Sequence, residues 1–297
     1  MASSGILLVD KPGGLTSHDV VARVRRAFGT RKVGHAGTLD PMATGLLVIG
    51  IEGATRLLTF IVGATKTYHA TILLGRTTTT DDADGDITGQ ADAAQLRRVT
   101  AEAISSGIRA LTGTIKQVPS AVSAIKVDGR RAYDRVRAGE NVKLAAREVT
   151  VARFEIIDKR VTDTHIEVDV EVDCSSGTYI RALARDLGET LGVGGHLTRL
   201  RRTHVGPFAV AHARSVDDLA DAPLLTPAEA AAAIMPSFAA TEEEARDLRH
   251  GKRLVGYAQQ APQLPAAAID PSGHLIGILE RRGSDLKSSM NMPEEAP

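Results

Sequence analysis

The hydrophobic positions in the first fifty residues fall into short continuous runs separated by helical spacing. Residues 6–9 form an apolar run that ends at a Pro-Gly turn, and this pattern predicts a buried strand. We expect a helix next, capped by Thr16 or Ser17 and ended at Gly29, because apolar residues recur there at helical spacing. A second apolar run at residues 46–49 lies between two glycines and predicts another buried strand.

Later segments repeat both patterns. Residues 68–74 are expected to form a strand, and residues 166–174 alternate strictly between apolar and acidic side chains, which predicts a half-buried strand. Cys174 falls on the buried phase of this strand, so we interpret it as a core residue and not as a reactive thiol. Helical spacing predicts one long helix over residues 96–111 and another over residues 180–191.

The order of these elements indicates the fold class. Strands and helices are mixed without a regular βαβ period, so we expect an α+β fold with a mixed or antiparallel sheet flanked by helices. A domain boundary is expected near residue 237, between two helices with capping boxes at Thr226 and Thr241. Residues 237–283 then predict a small β-rich module with a hairpin, and the polar residues 284–297 are expected to be disordered.

Composition narrows the class of protein. The chain has 297 residues and 43% hydrophobic residues, which is enough for a sizeable core and suggests two domains. A single cysteine excludes an internal disulfide and a zinc–thiolate site. The N-terminal stretch has no basic region and only a four-residue apolar run, so we expect neither a signal peptide nor a membrane span, and a cytoplasmic location.

The charge is balanced overall but uneven along the chain. Lys+Arg and Asp+Glu both number 36, so a polyanionic partner would have to bind a local basic face. Residues 20–39 contain five basic residues and no acid, residues 125–147 contain seven against three, and residues 199–214 contain four arginines and no acid. Each segment alone is typical of a solvated face, but together they favour a phosphate-binding groove. The acidic residues 81–86 lack calcium-loop spacing and predict a polar, mobile loop.

The most unusual segment is residues 34–45, with the sequence GHAGTLDPMATG. Three glycines and a proline place Asp40 at a tight turn just before a buried strand, where a carboxylate can be held at the floor of a cleft. Asp-Pro is also common in ordinary turns, so these residues alone leave both a catalytic and a structural role open.

The segment around Asp40 closely resembles the catalytic motif of the TruB family of tRNA pseudouridine synthases. Four further blocks match in order, namely DKPGGLTSHDVV at 10–21, KTYHATILLG at 66–75, VPSAVSAIKVDGRRAYDRVRAG at 118–139 and CSSGTYIRALARDLG at 174–188. The resemblance spans about residues 5 to 210, although residues 75–115 align poorly and are expected to form a loop and helix insertion. It implies a pseudouridine-synthase-like catalytic domain over residues 1–236 and a PUA-like RNA-binding domain over residues 237–283.

The resemblance also implies an activity. Such an enzyme isomerises uridine to pseudouridine in the T-loop of tRNA, at tRNA position 55, by base flipping and an aspartate nucleophile. It implies that Asp40 is the nucleophile, that Arg181 pairs with it and that Tyr68 stacks on the target base. No metal and no cofactor are implied.

Further site residues follow from the same resemblance. Substrate-binding roles are expected for Tyr179 as a pocket residue, for His35 as a support of the loop, for Leu200 as an apolar wall and for Lys11 as structural or electrostatic support. Contacts with the RNA backbone are expected for three basic residues, Arg199, Arg201 and Arg202.

The expected partner is the T-stem-loop of tRNA, bound by a monomer without a guide RNA, because the chain lacks a long basic extension. The main alternative is a non-catalytic protein that binds or folds tRNA on the same scaffold. A metal-dependent nuclease or a glycosidase is disfavoured, because no second carboxylate stands in a comparable motif and metal-ligand spacing is absent.

Overall fold

A computed structural model confirms the α+β fold class. It describes residues 3–122, 126, 127, 130, 131, 135, 140, 144–220, 222–261 and 263–293. Most of the basic segment 125–147 therefore lies outside the described residues, and so does most of the sequence block 118–139.

Regular elements cover most of the described chain. The helices are α1 (Ser17–Ala27), α2 (Leu58–Val62), α3 (Ala93–Arg97), α4 (Ala101–Ala110), α5 (Ile180–Thr190), α6 (Pro227–Ile234) and α7 (Glu242–Arg249). The strands are β1 (Gly5–Lys11), β2 (Val33–His35), β3 (Thr44–Ile51), β4 (Lys66–Leu74), β5 (Arg76–Thr78), β6 (Ile87–Gln90), β7 (Gly113–Gln117), β8 (Lys126–Val127), β9 (Arg130–Arg131), β10 (Arg147–Val161), β11 (Ile166–Cys174), β12 (Gly195–Val205), β13 (Phe208–Ala209), β14 (Arg214–Ser215), β15 (Ser237–Ala239), β16 (Ala266–Ile269), β17 (Leu275–Arg282) and β18 (Asp285–Asn291).

The chain divides into two compact units. The first unit comprises Met1–Pro41, Gly45–Ala64 and Val205–Pro297, and the second comprises Met42–Thr44 and Thr65–His204. The domain division expected at residue 237 stays a prediction. None of the described helices has the length and apolar character that crossing a lipid bilayer requires.

In the first unit, β1 lies between one parallel and one antiparallel neighbour. It pairs with β14 in parallel and with β3 in antiparallel orientation, and β2 adds to the other side of β3. The predicted apolar runs at residues 6–9 and 46–49 are confirmed as parts of β1 and β3, and almost all of their side chains are fully buried. Burial of both faces explains why these strands are continuously hydrophobic.

The C-terminal part of the first unit contains a second sheet, with the strand order β15-β16-β17-β18. A separate core lies on it and includes Phe238, Leu248, Ile276 and Leu286. The expectation that residues 284–297 are disordered is wrong for Asp285–Asn291, because this segment forms β18 and pairs with β17. Leu286 is fully buried, and Met290 and Met292 pack against a second core, so a few apolar residues in a mostly polar stretch anchor this strand.

The second unit contains the strand order β12-β4-β11-β10-β7. The strict alternation predicted for residues 166–174 is confirmed, because the apolar residues of β11 are buried and the acidic ones are partly exposed. Cys174 is a buried core residue as expected, and burial raises the pKa of its thiol to about 11.

The long helix expected over residues 96–111 is wrong, because the segment forms two helices, α3 and α4. Thr100 separates them, since it has an extended backbone and its side chain accepts a hydrogen bond from the Ala103 N–H. An N-cap residue of this kind starts a new helix even where the apolar spacing continues.

Candidate active site

The loop that carries Asp40 connects β2 to β3, and both neighbours of Asp40 are anchored. The Leu39 N–H donates to Ser17 Oγ at 2.9 Å, and this hydroxyl lies 3.2 Å from the Leu39 carbonyl. The Pro41 carbonyl accepts a hydrogen bond from the Gly14 N–H at 2.9 Å. Asp40 itself is half-buried. The backbone on each side of the carboxylate is thus fixed by residues of the block 10–21.

Lys11 provides a second anchor for the same loop. Its side chain is fully buried, and Nζ donates to the carbonyls of Pro12 at 2.9 Å, Leu15 at 2.7 Å and Pro41 at 3.2 Å. A buried ammonium group is stable only where acceptors replace its water shell, and these carbonyls do so. Lys11 therefore contributes structural support, and contact between Lys11 and a substrate stays a prediction.

His35 lies at the end of β2, before the turn. Its ring is half-buried and packs edge-on against His18, with ring centroids 5.7 Å apart. Two residues further, Gly37 has φ of +93°, a backbone conformation that a side chain would strain. This position is compatible with the expected role of His35 as a support of the loop, which stays a prediction.

Tyr68 lies on β4 in the second unit and is 8% exposed. It is opposite Val172 of β11, and strand alternation puts its side chain on the same face as Lys66. Burial, together with the nearby charge of Arg202, lowers the pKa of Lys66 to about 8. Leu200, on the neighbouring strand β12, is 7% exposed. The predicted stacking of Tyr68 on a base stays a prediction.

Arg181 occupies the first turn of α5 and is buried, with 4% exposure. Its guanidinium group donates to the carbonyls of Thr80 and Val122, both at 2.8 Å, and lies 3.3 Å from the Asp82 carboxylate. The Arg181 side chain is therefore buried and bonded within the second unit. Its predicted pairing with Asp40 stays a prediction.

Asp82 is the first of two residues that the sequence analysis missed. A polar, mobile loop was expected at residues 81–86, but Asp82 is only 4% exposed. Its carboxylate accepts from the Asp84 N–H at 3.1 Å, and the Asp81 carbonyl accepts from the Leu197 N–H at 3.0 Å. A buried arginine needs an anionic partner, which is a long-range requirement that residue spacing cannot reveal.

Tyr179 is the N-cap residue of α5 and is half-buried. The turn before it is held by Ser175, whose carbonyl accepts from the Thr178 hydroxyl at 3.0 Å, and it includes Gly177 with φ of +86°. Gln117 bonds to the Tyr179 backbone and is a second residue that the sequence analysis missed.

The basic residues of β12 differ in exposure. A hydrogen bond from Arg160 is the main cause that lowers the pKa of Asp169, and the exposed Arg199 adds to this shift. Arg201 is half-buried and donates to Thr44 Oγ1 at 3.4 Å. Arg202 is 1% exposed in the free protein, which disfavours the expected contact with an RNA phosphate, and this contact stays a prediction. Strand alternation turns Arg202 to the face opposite that of Arg199 and Arg201.

The predicted site residues in these two units therefore lie in three groups. In the first unit, Lys11 and the loop around Asp40 are joined through Pro41. In the second unit, Tyr68 and Leu200 lie on neighbouring strands, while Tyr179 and Arg181 lie at the start of α5.

Three family models match consecutive parts of the chain. Residues 25–180 match the model described as "TruB family pseudouridylate synthase (N terminal domain)". Residues 181–239 match "tRNA pseudouridylate synthase B C-terminal domain", and residues 235–293 match "tRNA Pseudouridine synthase II, C terminal". The matches cover more than half of the chain, including the Asp40 loop and α5.

Similar curated proteins cover nearly the whole length. A protein of Leifsonia xyli subsp. xyli, named tRNA pseudouridine synthase B, is 58% identical over 297 residues, which covers 99% of this chain and 98% of that protein. A protein of the same name from Paenarthrobacter aurescens is 55% identical over 293 residues, or 96% of this chain and 93% of that protein.

Two solved structures share the fold at low identity. A chain of an H/ACA RNP bound to a substrate RNA containing 2′-deoxyuridine has a TM-score of 0.69 at 21% identity. The match covers 98% of this chain and 85% of that chain. A chain of a Cbf5-Nop10-Gar1 complex has a TM-score of 0.68 at 24% identity. The match covers 98% of this chain and 84% of that chain. These similarities extend to the fold alone.

Proposed function

This chain belongs to the TruB family of pseudouridylate synthases, and we propose that it isomerises uridine in tRNA to pseudouridine. The observation that carries the proposal is the loop GHAGTLDPMATG, in which both neighbours of Asp40 are anchored and the carboxylate between them is the one that the resemblance implies as nucleophile. The proposed target is the T-loop uridine at tRNA position 55, as the resemblance of the five sequence blocks implies.

The chemistry needs one well-placed carboxylate. The bond between uracil N1 and ribose C1′ breaks, the base rotates, and a bond from C5 to C1′ forms, while the proton of C5 is lost and N1 gains one. No atom is lost overall and no electron acceptor is required. Asp40 can add covalently at the ribose or at the base, or stabilise a glycal-type intermediate, and is later released.

Arg181 and Tyr68 are proposed to act in catalysis together with Asp40. The carbonyls of Thr80 and Val122 and the carboxylate of Asp82 hold the Arg181 guanidinium, so its position is set before substrate binds. A preorganised charge of this kind stabilises developing charge without reorganisation during the reaction. Tyr68 is proposed to stack on the extruded base, because chemistry on a nucleobase requires it to leave the RNA stack.

Exposed cations support RNA as the substrate. Arg25, Arg26, Arg31 and Lys32 are exposed in the first unit, at the end of α1 and in the following loop. Arg199 adds an exposed cation in the second unit. Such groups displace counterions from phosphates and bind RNA although the overall charge of the chain is zero.

The proposal is tested with purified protein and an unmodified tRNA transcript, followed by mapping of pseudouridine. We expect one modified uridine in the T-loop, formed by wild type and by Asp163→Asn but not by Asp40→Asn. Asp163 is a matched control because it is an exposed aspartate in the bend between β10 and β11. Binding of tRNA without any pseudouridine would instead support the non-catalytic alternative.

The same assay tests the expected independence from other components. Product should form from bare tRNA with no guide RNA, and in excess chelator if a pre-folded stem-loop is the substrate. Restoration of lost activity by zinc or magnesium would contradict a reaction without metal. The monomeric state and the cytoplasmic location stay predictions.

A further inference from the structure

Gln117 is a buried amide at the end of β7, with 1% exposure. Its Nε2 donates to the Tyr179 carbonyl at 3.0 Å, and its Oε1 accepts from the Tyr179 N–H at 2.8 Å. One side chain thus bonds both polar backbone groups of a residue 62 positions later in the chain. A pair of bonds in this geometry fixes the position and the orientation of the bonded peptide groups.

The bonded residue is the start of the helix that carries Arg181. Tyr179 is the N-cap of α5, and its own side chain makes no capping hydrogen bond. Helices usually begin at a residue whose side chain fixes the first turn. Gln117, on β7, instead fixes the backbone of this N-cap residue, two positions before Arg181.

The residues that follow Gln117 contact the same helix. The Val118 carbonyl accepts from Arg185 at 2.7 Å, and the Val122 carbonyl accepts from Arg181 at 2.8 Å. Arg185 also lies 3.2 Å from the Asp81 carboxylate, next to the Asp82 that pairs with Arg181. The start of α5 is therefore bonded to the end of β7 and to the loop at residues 80–82.

We propose that Gln117 is a positioning residue for the isomerisation, which acts by fixing the backbone of Tyr179 and hence the placement of Tyr179 and Arg181. This inference rests on the proposed function. Gln117 touches neither substrate nor reacting atoms in this role. Its loss lets the first turn of α5 shift, and a displacement of about 1 Å at a catalytic group can reduce the rate about 100-fold.

The test compares three substitutions of Gln117. Gln117→Met keeps the shape and removes both bonds, Gln117→Glu keeps the acceptor and removes the donor, and Gln117→Ala removes most of the side chain. Gln95→Met is the matched control, because Gln95 also bonds an N-cap backbone, that of Asp92, but in the exposed helix α3. The measurements are the single-turnover rate at saturating tRNA, the Kd for tRNA and the thermal unfolding midpoint.

We expect Gln117→Met to lower the single-turnover rate about 10- to 100-fold at a temperature where it is folded, with the Kd changed less than about threefold. Gln117→Glu should be intermediate and Gln95→Met unchanged. A purely structural role predicts a lower unfolding midpoint with a wild-type rate for the folded protein, and this result would overturn the proposal. If Gln117→Met does not fold, the rate and the unfolding midpoint of Gln117→Glu distinguish the positioning role from the purely structural role by the same criteria.

Hydrogen exchange of the free protein separates this inference from the proposed function. Loss of the Gln117 bonds should speed amide exchange at residues 179–183, whereas Gln95→Met should leave these amides unchanged. An inactive wild type would contradict the proposed function, yet faster exchange in Gln117→Met would still support the constraint on α5. Unchanged exchange together with an unchanged rate would overturn the inference.

Discussion

The loop around Asp40 and the start of α5 are held by different kinds of contact. Around Asp40, the backbone is fixed by Ser17, Gly14 and Lys11, which hydrogen-bond to backbone groups of Leu39 and Pro41. At α5, the side chain of Arg181 is itself held, by two carbonyls and by the carboxylate of Asp82. Bonds to the backbone fix the position of the Cα atom that carries a side chain. Bonds to the side chain itself fix the position of its charged group.

This difference decides the consequence of a substitution in each region. The Asp40 carboxylate can be replaced without removing any of the anchoring bonds at Leu39 and Pro41, because those bonds belong to the backbone. Arg181 and Asp82 cannot be replaced separately without leaving a buried charge with fewer partners. Replacing the Asp40 carboxylate should therefore change the chemistry while these backbone anchors stay in place, whereas replacing Arg181 or Asp82 should change chemistry and stability together.

The largest effect is expected for Asp40→Asn. The anchoring bonds at Leu39 and Pro41 remain, so the protein should fold and bind tRNA normally, while the single-turnover rate falls more than about 1000-fold because the nucleophile is lost. The rate and the Kd for tRNA are the quantities to measure. Substantial turnover by this variant would remove Asp40 from the proposed mechanism.

A substitution of Asp82 should affect both stability and rate. Asp82→Ala removes a buried carboxylate partner of the Arg181 guanidinium, and breaking a buried pair costs about 3–5 kcal/mol of the free energy of unfolding. Denaturant unfolding measures this cost, and the single-turnover rate should fall as well. Asp84→Ala, which changes an exposed aspartate of the same loop, is the control and should have little effect. Equal stabilities of the two variants would contradict the comparison.

Lys11→Met tests whether anchoring of the Asp40 loop affects the catalytic rate as well as the stability of the protein. Three carbonyls lose a charged donor, so the free energy of unfolding should fall by about 2–3 kcal/mol. The rate should fall about tenfold, since Asp40 keeps its carboxylate but loses part of its support. Lys159→Met, which removes an exposed lysine of β10 to which no contact with RNA is assigned, serves as the control. A wild-type rate in a destabilised Lys11→Met would mean that the loop needs no support from Lys11.

The smallest effect is expected from the two more accessible arginines of β12. Replacing Arg199 and Arg201 by Gln should weaken tRNA binding and reduce the slope of log Kd against log salt by up to about 0.7–0.9 for each phosphate that the protein no longer neutralises. The rate at saturating tRNA should be retained. Arg202 is left unchanged because it is buried. An unaltered salt slope would exclude this strand from the RNA footprint.

The sequence predicted the elements whose signals are local. The alternation of β11, the capping boxes at Thr226 and Thr241 and the hairpin between β16 and β17 are all confirmed. Each depends on residues within a few positions of one another, so periodicity and capping chemistry suffice. The same holds for the Asp40 turn, whose glycines and proline mark it in the sequence.

Contacts between distant segments could not be predicted in this way. Asp82 is one of four aspartates in a short polar run, and nothing in the run indicates which of them is buried. Gln117 bonds a residue 62 positions away, and Arg202 is buried on a strand whose other arginines are more exposed. Burial of a polar side chain depends on its long-range partner, which single-sequence patterns do not contain.

The strand β18 has a practical consequence for shortened versions of the protein. It is the outermost strand of its sheet, and Leu286 contributes to the core beneath it. Removing residues after Gly283 would uncover the hydrogen-bonding edge of β17, next to the buried Ile276 and Ile278. An open apolar edge pairs readily with another copy of itself, so such truncated chains should aggregate during expression, whereas β18 covers this edge in the intact sheet.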